Sequence, residues 1–130
     1  MKRKETFSIM GRIKSLSHAV RGLADMFSTE HNAWLHLIAT IVALDLAWWL
    51  RVSSVEFALI LISIVLVWIA EAFNTVLEIM ADLVVGQRYS RLVKRAKDIA
   101  ASAVLIAALG ALVLGLMILG PHLYNRLQAF

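Results

Sequence analysis

Three apolar segments, at about residues 33–50, 54–85 and 99–119, dominate this chain of 130 residues and restrict the solvent in which it can fold. Hydrophobic residues make up 61% of the sequence and charged residues 17%. A single domain of this size has too little interior to bury so much apolar surface. Because about 20 apolar helical residues span the hydrocarbon core of a bilayer, the sequence predicts an all-α membrane protein. We expect one domain, residues 1–130, with three transmembrane helices.

An amphipathic helix is predicted before the first span, over about residues 9–27. Its apolar side chains recur at spacings of three and four, and they are Ile9, Ile13, Leu16, Val20, Leu23 and Phe27. A basic amphipathic helix beside membrane spans is typical of a helix that lies on the membrane surface. Ordinary packing of this helix against the other helices would give the same pattern, so both interpretations stay open.

The second span has clear sequence signals at both ends. Ser53 and Glu56 have the spacing of a capping box, which predicts a helix start near Ser54. The helical pattern continues to about Val85, and Gly86 is a typical helix stop. A helix of some 30 residues is about 45 Å long, whereas the hydrocarbon core is about 30 Å thick. We therefore expect its last turns to leave the hydrocarbon.

The third span follows a basic connector at residues 87–98 and is expected to end at Gly120 and Pro121. Small residues recur every four positions along it, at Ala103, Ala107, Ala111 and Gly115. Such a stripe lets two helices approach closely in a membrane.

Lysine and arginine residues are distributed unevenly between the segments that flank the spans. Six precede the first span and five lie in the connector, whereas the loop at Arg51 and the tail at Arg126 have one each. The positive-inside rule then places the N-terminus and the connector in the cytoplasm and the C-terminus outside. We expect a multi-pass protein of the cytoplasmic membrane. This location also accounts for the net charge of +4 without a nucleic-acid partner.

A polar stripe runs along the second half of the second span, where Glu71, Asn74, Glu78 and Asp82 are separated by three, four and four residues. This spacing places them on one face of the helix. Carboxylates near hydrocarbon are costly, and they mark either a function or a pairing partner. Glu71 lies about 25 Å from the outer end of the helix, near the inner boundary, where a lipid headgroup and a cytosolic solute could meet. Pairing with basic residues of a neighbouring helix is the structural alternative, above all for Asp82.

Glu30, Lys97 and Asp98 are predicted to lie in the same cytoplasmic layer as the stripe. Glu30 could equally be a favourable charge at a helix start, and Lys97 a membrane anchor. Two carboxylates beside water are suitable ligands for Mg²⁺, which keeps several waters and often bridges to phosphates.

Two further polar residues lie within the first span. We interpret His36 as a polar packing partner, because it and His31 lack the spacing of a zinc site. Asp45 is either part of a substrate path or a hydrogen-bonded packing residue.

Two sequence blocks resemble the signature of the prokaryotic diacylglycerol kinase family over about residues 11–119. They are Glu71-Ala-Phe-Asn74-Thr75-Val-Leu-Glu78 with Asp82, and Ala96-Lys97-Asp98. The stretch from Thr29 to His36 is more similar to the undecaprenol kinase branch. The resemblance implies a homotrimeric enzyme of three spans that transfers the γ-phosphate of MgATP to the hydroxyl of a lipid alcohol. Undecaprenol is slightly favoured over diacylglycerol as this alcohol. The reaction would supply phospholipid synthesis or the recycling of cell-envelope lipids.

The same resemblance implies roles for individual residues. Glu71 matches the general base, and Glu30 and Glu78 match metal ligands that also contact the nucleotide. Lys97 and Asp98 match the nucleotide-contacting pair, and Asn74 and Asp82 match supporting residues. Arg12 and His18 lie near N-terminal nucleotide or lipid contacts of the family, and we expect them to bind the nucleotide. The chain departs from the family where His18 replaces a common tyrosine and where Arg88-Tyr89-Ser90 replaces a common Glu-Tyr-His.

Two other classes of protein would also place acidic residues in a membrane helix. A small cation or proton transporter or channel subunit would use Glu71 and Glu78 to bind its ion. A structural or regulatory subunit would pair them with partner helices and use no ATP. Transport sites usually lie near the midplane, whereas this stripe is predicted at the inner boundary.

Overall fold

The computed structural model describes residues 8–86 and 88–129, and this part of the chain forms four helices. They are α1 (Ile9–Thr29), α2 (His31–Trp49), α3 (Ser54–Val85) and α4 (Arg91–Gln128). The last three are long and apolar enough to cross a membrane by length and composition. Between 6% and 17% of the residues in their most apolar stretches are buried inside the chain. The prediction of an all-α membrane protein with three candidate spans is therefore confirmed, and most apolar surface of the spans faces outward.

The helices define two ends of the bundle. At the Gly86 end, α1 is connected to α2, and α3 is connected to α4. At the Arg51 end, α2 is connected to α3. Only Glu30 separates α1 from α2, with an extended backbone (φ −109°, ψ 112°) that breaks the helix. The Trp34 indole donates a hydrogen bond to the Phe27 carbonyl across this break (3.1 Å), so the junction is fixed by side-chain contacts as well.

The apolar face of α1 is largely without contacts inside the chain. Ile9, Ile13, Leu16, Val20 and Leu23 are all more than half exposed. The N-terminal part of α1 therefore does not pack its apolar face on the other helices. This face is available to a membrane surface, which agrees with the interpretation of α1 as a surface helix.

The predicted limits of α3 are confirmed. The Ser53 hydroxyl accepts a hydrogen bond from the Glu56 amide (3.3 Å), and the Glu56 carboxylate accepts one from the Ser53 amide (2.7 Å), which completes a capping box. At the other end Gly86 has a positive φ of 54°, which glycine adopts without a steric cost. Its amide donates to the Asp82 carbonyl (2.9 Å).

The helix that contains the third span is longer at both ends than the sequence predicted. Most of the expected connector 87–98 is helical, because α4 already begins at Arg91 after the cap residue Ser90, whose hydroxyl accepts from the Val93 amide (3.4 Å). The helix also continues through Gly120 and Pro121 to Gln128. Proline removes one backbone donor but has a helical φ, and in an apolar solvent a broken helix would leave more backbone groups unsatisfied.

Two contacts hold the residues beyond Pro121 against the other spans. The His122 imidazole lies 3.1 Å from the Glu56 carboxylate at the start of α3. The Arg126 guanidinium lies 5.5 Å from the centre of a Trp49 ring at the end of α2, a cation–π contact. These contacts favour a continuous α4 over the stop that the sequence predicted.

The most extensive helix packing is between α3 and α4. Ala47, Ile60 and Ile118 form a buried cluster toward the Arg51 end. Of the predicted small-residue stripe, Ala103 is exposed, whereas Ala107, Ala111 and Gly115 are half-buried. Near the Gly86 end the packed face of α4 is instead formed by Ala100 and Val104.

Candidate functional site

The polar stripe of α3 passes from the interior of the bundle to its surface. Glu71, Asn74 and Thr75 are buried, Glu78 is half-buried and Asp82 is exposed. The Glu71 side chain has no exposed surface. A buried carboxylate is costly unless other groups compensate it. The stripe therefore requires partners, and these partners define the candidate site.

Glu71 is paired with His36 of α2. The Oε2 atom of Glu71 lies 3.4 Å from the Nε2 atom of His36. The contact is not aligned as a hydrogen bond, and among the described residues neither carboxylate oxygen of Glu71 nor His36 Nε2 has a hydrogen-bond partner. Buried polar atoms of this kind are rare in native proteins, and their presence together suggests that a further polar group belongs here.

Aromatic neighbours fix the position of His36. Its ring packs edge-on against Trp68 of α3, with the ring centres 6.3 Å apart. The Trp68 indole donates a hydrogen bond to the Thr40 hydroxyl (3.0 Å) and packs against Phe27 at 5.4 Å. The sequence interpretation of His36 as a polar packing partner thus missed its contact with Glu71. A titratable residue inside an apolar span was the available signal, but nothing in the sequence identified its partner.

Glu30 and Glu78 add negative charge beside Glu71. The Asn74 amide nitrogen donates a weak hydrogen bond to Glu78 Oε1 (3.5 Å). Burial raises the pKa of the Glu30 carboxyl above its ordinary value, and the carboxylates of Glu78 and Glu71 raise it further, while His31 lowers it in part. Carboxylates repel one another in this way only when they lie close together. A bound cation would relieve this repulsion.

Carboxylates of this cluster could hold Mg²⁺ if a further ligand completed the site. No group of three or more metal-ligating side chains was found in residues 8–86 and 88–129, so the chain alone offers no closed cage. Mg²⁺ needs none, because it is commonly held by one or two carboxylates together with water and substrate phosphates. Glu30 and Glu78 supply such carboxylates, and the buried Asn74 Oδ1 has no hydrogen-bond partner among the described residues.

Lys97 and Asp98 of α4 have different partners. The Lys97 ammonium donates to Asp82 Oδ1 of α3 (3.0 Å), whereas Asp98 accepts from Lys94 one turn earlier (2.7 Å). The structure therefore brings Lys97 to the acidic stripe, as the sequence predicted. It also gives Asp82 a basic partner on a neighbouring helix, which is the structural alternative to a functional role for this residue. Asp98, which follows Lys97 in the sequence, lies on the exposed surface of α4.

Arg12 and His18 are exposed residues of α1. At the helical rise of about 1.5 Å per residue, Arg12 lies about 27 Å and His18 about 18 Å from Glu30 along the axis. Their role in nucleotide binding stays a prediction. Arg88 and Tyr89, where the sequence departs from the family signature, are also exposed.

An apolar groove of about 420 Å³ leads to the Glu71–His36 pair. Residues of α2, α3 and α4 line it, and it extends from His36 toward Leu123 at the Arg51 end. Its only titratable lining residue in the described part of the chain is His36. A hydrocarbon chain could therefore occupy the groove with a polar end at His36.

Residues 17–119 match the family model described as prokaryotic diacylglycerol kinase. The chain belongs to the prokaryotic diacylglycerol kinase family. It is 38% identical over 111 residues to a diacylglycerol kinase of Synechocystis, covering 85% of this chain and 63% of that protein. The diacylglycerol kinase of Escherichia coli is 32% identical, and the undecaprenol kinase of Bacillus subtilis 34%, each over 110 residues that cover 85% of this chain and 89% of the relative.

Family membership confirms the resemblance that the sequence showed. It supports a membrane lipid kinase, a phosphotransferase with an alcohol acceptor, over the transporter and the structural subunit. Every residue of the candidate site except Arg12 falls within the matched range. The names of the relatives include two different lipid alcohols at similar identity, so the comparison leaves the acceptor lipid open.

Proposed function

We propose that this protein is an integral membrane lipid kinase that transfers the γ-phosphate of ATP to the hydroxyl of a lipid alcohol. One observation carries the proposal: a carboxylate with no exposed surface, Glu71, lies without a hydrogen-bond partner among the described residues beside His36 at the end of an apolar groove. A hydroxyl at the end of a hydrocarbon chain is the kind of group that such a site can accept.

Glu71 serves as the general base. A carboxylate with free lone pairs accepts the proton that the lipid hydroxyl loses when its oxygen attacks phosphorus. Base assistance of this type typically contributes about 10²- to 10⁴-fold to the rate. The apolar surroundings keep bulk water away from the base, which favours the lipid hydroxyl over water as the acceptor.

The nucleotide side of the site lies toward the Gly86 end. Glu30 and Glu78 would hold Mg²⁺, which neutralises charge on the ATP phosphates during phosphoryl transfer. The Lys97 ammonium contacts a phosphate, and Asp98, Arg12 and His18 are further nucleotide contacts. Asn74 orients Glu78 through its side-chain amide, and Asp82 holds Lys97 at the stripe.

The proposed assembly is a homotrimer in the cytoplasmic membrane. The three spans leave most of their apolar residues exposed, and further copies of the chain would cover part of this surface. The excess of lysine and arginine before α2 and between α3 and α4 supports a cytoplasmic N-terminus and site, with the C-terminus outside.

Undecaprenol is the acceptor we favour, with diacylglycerol as the second candidate. The stretch from Thr29 to His36, which resembles the undecaprenol kinase branch, includes both Glu30 and His36 of the site. The product, a lipid phosphate, would enter phospholipid synthesis or the recycling of cell-envelope lipids.

The experiment is a phosphorylation assay with purified protein in lipid or detergent. The protein is incubated with MgATP labelled at the γ-phosphate and with undecaprenol, diacylglycerol or no lipid, and labelled lipid is separated by thin-layer chromatography. We expect a labelled lipid that requires the wild-type chain and is absent with Glu71→Gln. The absence of labelled product from both alcohols would contradict the proposed function.

A further inference from the structure

His36 lies between Glu71 and the apolar groove. The Glu71 side chain has 0% exposed surface, whereas the His36 side chain is 16% exposed and lines the groove. A hydroxyl group in the groove would therefore meet the imidazole before it could meet the carboxylate. Direct proton transfer to Glu71 would require His36 to move away, yet Trp68 packs against its ring.

The imidazole has the chemistry to connect the two groups. Its two nitrogens lie on different sides of the ring, so a neutral histidine can accept a proton at one nitrogen and release the proton that the other nitrogen holds. Nε2 is 3.4 Å from Glu71, which leaves Nδ1 as the ring nitrogen that can meet a hydroxyl group. On unrelated folds a histidine with a carboxylate behind it removes the proton of a hydroxyl group, but there the carboxylate orients the imidazole and is not itself protonated.

We propose that His36 is a catalytic residue that relays the proton from the lipid hydroxyl to Glu71. This inference rests on the proposed kinase function and extends it. The lipid O–H bond breaks and its proton passes to Nδ1, while the proton on Nε2 passes to the Glu71 carboxylate. The lipid oxygen forms its bond to the γ-phosphorus, the bond from that phosphorus to the bridging oxygen breaks, and ADP leaves with the electron pair.

The relay also explains why so many buried polar atoms lack partners at one point. His36 Nε2 and both oxygens of Glu71 have no hydrogen-bond partner among the described residues. When a hydroxyl binds Nδ1, the ring can turn slightly and align Nε2–H with the carboxylate. The Trp68 indole, which is held by the Thr40 hydroxyl (3.0 Å), limits this motion to a small angle. Glu71 thus remains the final proton acceptor.

The test compares two substitutions that separate a relay from a hydrogen-bonding residue. Gln retains an amide donor near the position of Nε2 but cannot carry a proton between two atoms, and Ala leaves space for free imidazole. We expect His36→Gln and His36→Ala to lower kcat at least about 100-fold while the KM for MgATP stays within about threefold. Added imidazole should restore part of the turnover of His36→Ala and none of that of His36→Gln.

His122→Gln is the matched control. It removes the second histidine–carboxylate pair between helices in the described residues, the contact of His122 with Glu56 at the Arg51 end, which has no part in the proposed chemistry. We expect its turnover to equal that of the wild type. This control separates the loss of a relay from the general loss of an interhelical pair.

Three outcomes overturn the relay while leaving the kinase function in place: turnover of His36→Gln within about threefold of an active wild type, no response of His36→Ala to imidazole, or the loss of MgATP binding in both variants. A wild-type chain that phosphorylates no lipid alcohol would instead contradict the proposed function, and the relay with it.

Discussion

The Lys97 ammonium lies 3.0 Å from Oδ1 of Asp82 and joins α4 to the polar stripe of α3. The next residue, Asp98, pairs with Lys94 on the surface of α4 instead. Lys97 also interacts electrostatically with Glu78 and Glu30. The pair therefore holds a cation beside the carboxylates that would bind the metal of MgATP.

Lys97→Met should raise the KM for MgATP about 10- to 100-fold, because a charge-assisted hydrogen bond to phosphate contributes about 1.5–3 kcal/mol. The double variant Asp82→Lys with Lys97→Asp restores the ion pair with its charges reversed. If Lys97 contacts the nucleotide, this reversal should leave the KM high. Recovery of the wild-type KM in the reversed pair would show that the ion pair acts only by holding the helices together.

The sequence alone predicted the elements whose signals are local. The limits of α3 follow from Ser53, Glu56 and Gly86, which act on backbone groups within one turn of themselves. The end of α4 could not be predicted in this way. Its continuation past Pro121 is stabilised by contacts of His122 with Glu56 and of Arg126 with Trp49, partners that lie far away in the sequence.

The same distinction applies to the candidate site. The spacing of Glu71, Glu78 and Asp82 along one helix was readable, because helical periodicity fixes which residues share a face. The sequence did not show which residue is the partner of each acidic residue, since the pairing depends on how the helices are rotated against one another. His36 and Lys97 therefore acquired their partners only in the structure.

Glu71→Gln should lower kcat by about 10²- to 10⁴-fold, because the amide keeps the shape of the side chain but cannot accept the proton. MgATP binding, measured by titration with a fluorescent nucleotide, should change less than about threefold. Near-normal turnover of this variant would remove Glu71 from the role of base. A large loss of nucleotide affinity would assign it to the metal site instead.

Glu78→Gln should act on the metal rather than on proton transfer. With one carboxylate removed, the Mg²⁺ concentration that gives half-maximal activity should rise roughly tenfold, since Mg²⁺ depends on few protein ligands. At saturating Mg²⁺ much of the turnover should return. Ala72→Gln, which adds an amide at an exposed position of α3, is a control that should leave the Mg²⁺ requirement unchanged. An unchanged requirement in Glu78→Gln would count against Glu78 as a ligand.

Glu30→Gln should make the metal-free protein more stable at neutral pH. Burial first, and then the carboxylates of Glu78 and Glu71, raise the pKa of Glu30 in the folded chain. Between the ordinary pKa of 4.5 and the raised value the folded chain binds more protons than the unfolded chain, so its stability falls as the pH rises through this window. The glutamine side chain does not ionise, so the stability of this variant does not fall in this way.

The measurement for Glu30 is the thermal unfolding midpoint in the presence of a chelator from pH 4 to pH 8. We expect the midpoint of Glu30→Gln to exceed that of the wild type by a few degrees at neutral pH, and the difference to vanish near pH 4. Glu30→Asp, which keeps the charge, should follow the wild type. Parallel curves for Glu30→Gln and the wild type would show that the cluster is not strained by its charge.

Gly115→Leu should weaken the binding of the lipid without affecting the nucleotide. Gly115 lines the apolar groove that ends at His36, and a Cβ atom added there has no described atom within 4 Å apart from the backbone of its own helix turn. The Cβ of a leucine therefore meets open space, and the rest of its side chain would occupy part of the groove. We expect the KM for the lipid alcohol, expressed as its mole fraction in the membrane, to rise roughly tenfold, while the KM for MgATP stays unchanged.

Gly110→Leu is the matched control for this change. Gly110 belongs to the same helix, is exposed, and likewise has no described atom within 4 Å of an added Cβ, but it does not line the groove. Both substitutions remove one glycine from α4, so they should alter its intrinsic stability equally. An equal rise of the lipid KM in both variants would therefore reflect the helix rather than the groove. If the protein proves to be the proposed homotrimer, and Gly115→Leu dissociates it whereas Gly110→Leu does not, the groove is filled by a neighbouring copy of the chain, and the lipid must reach His36 by another path.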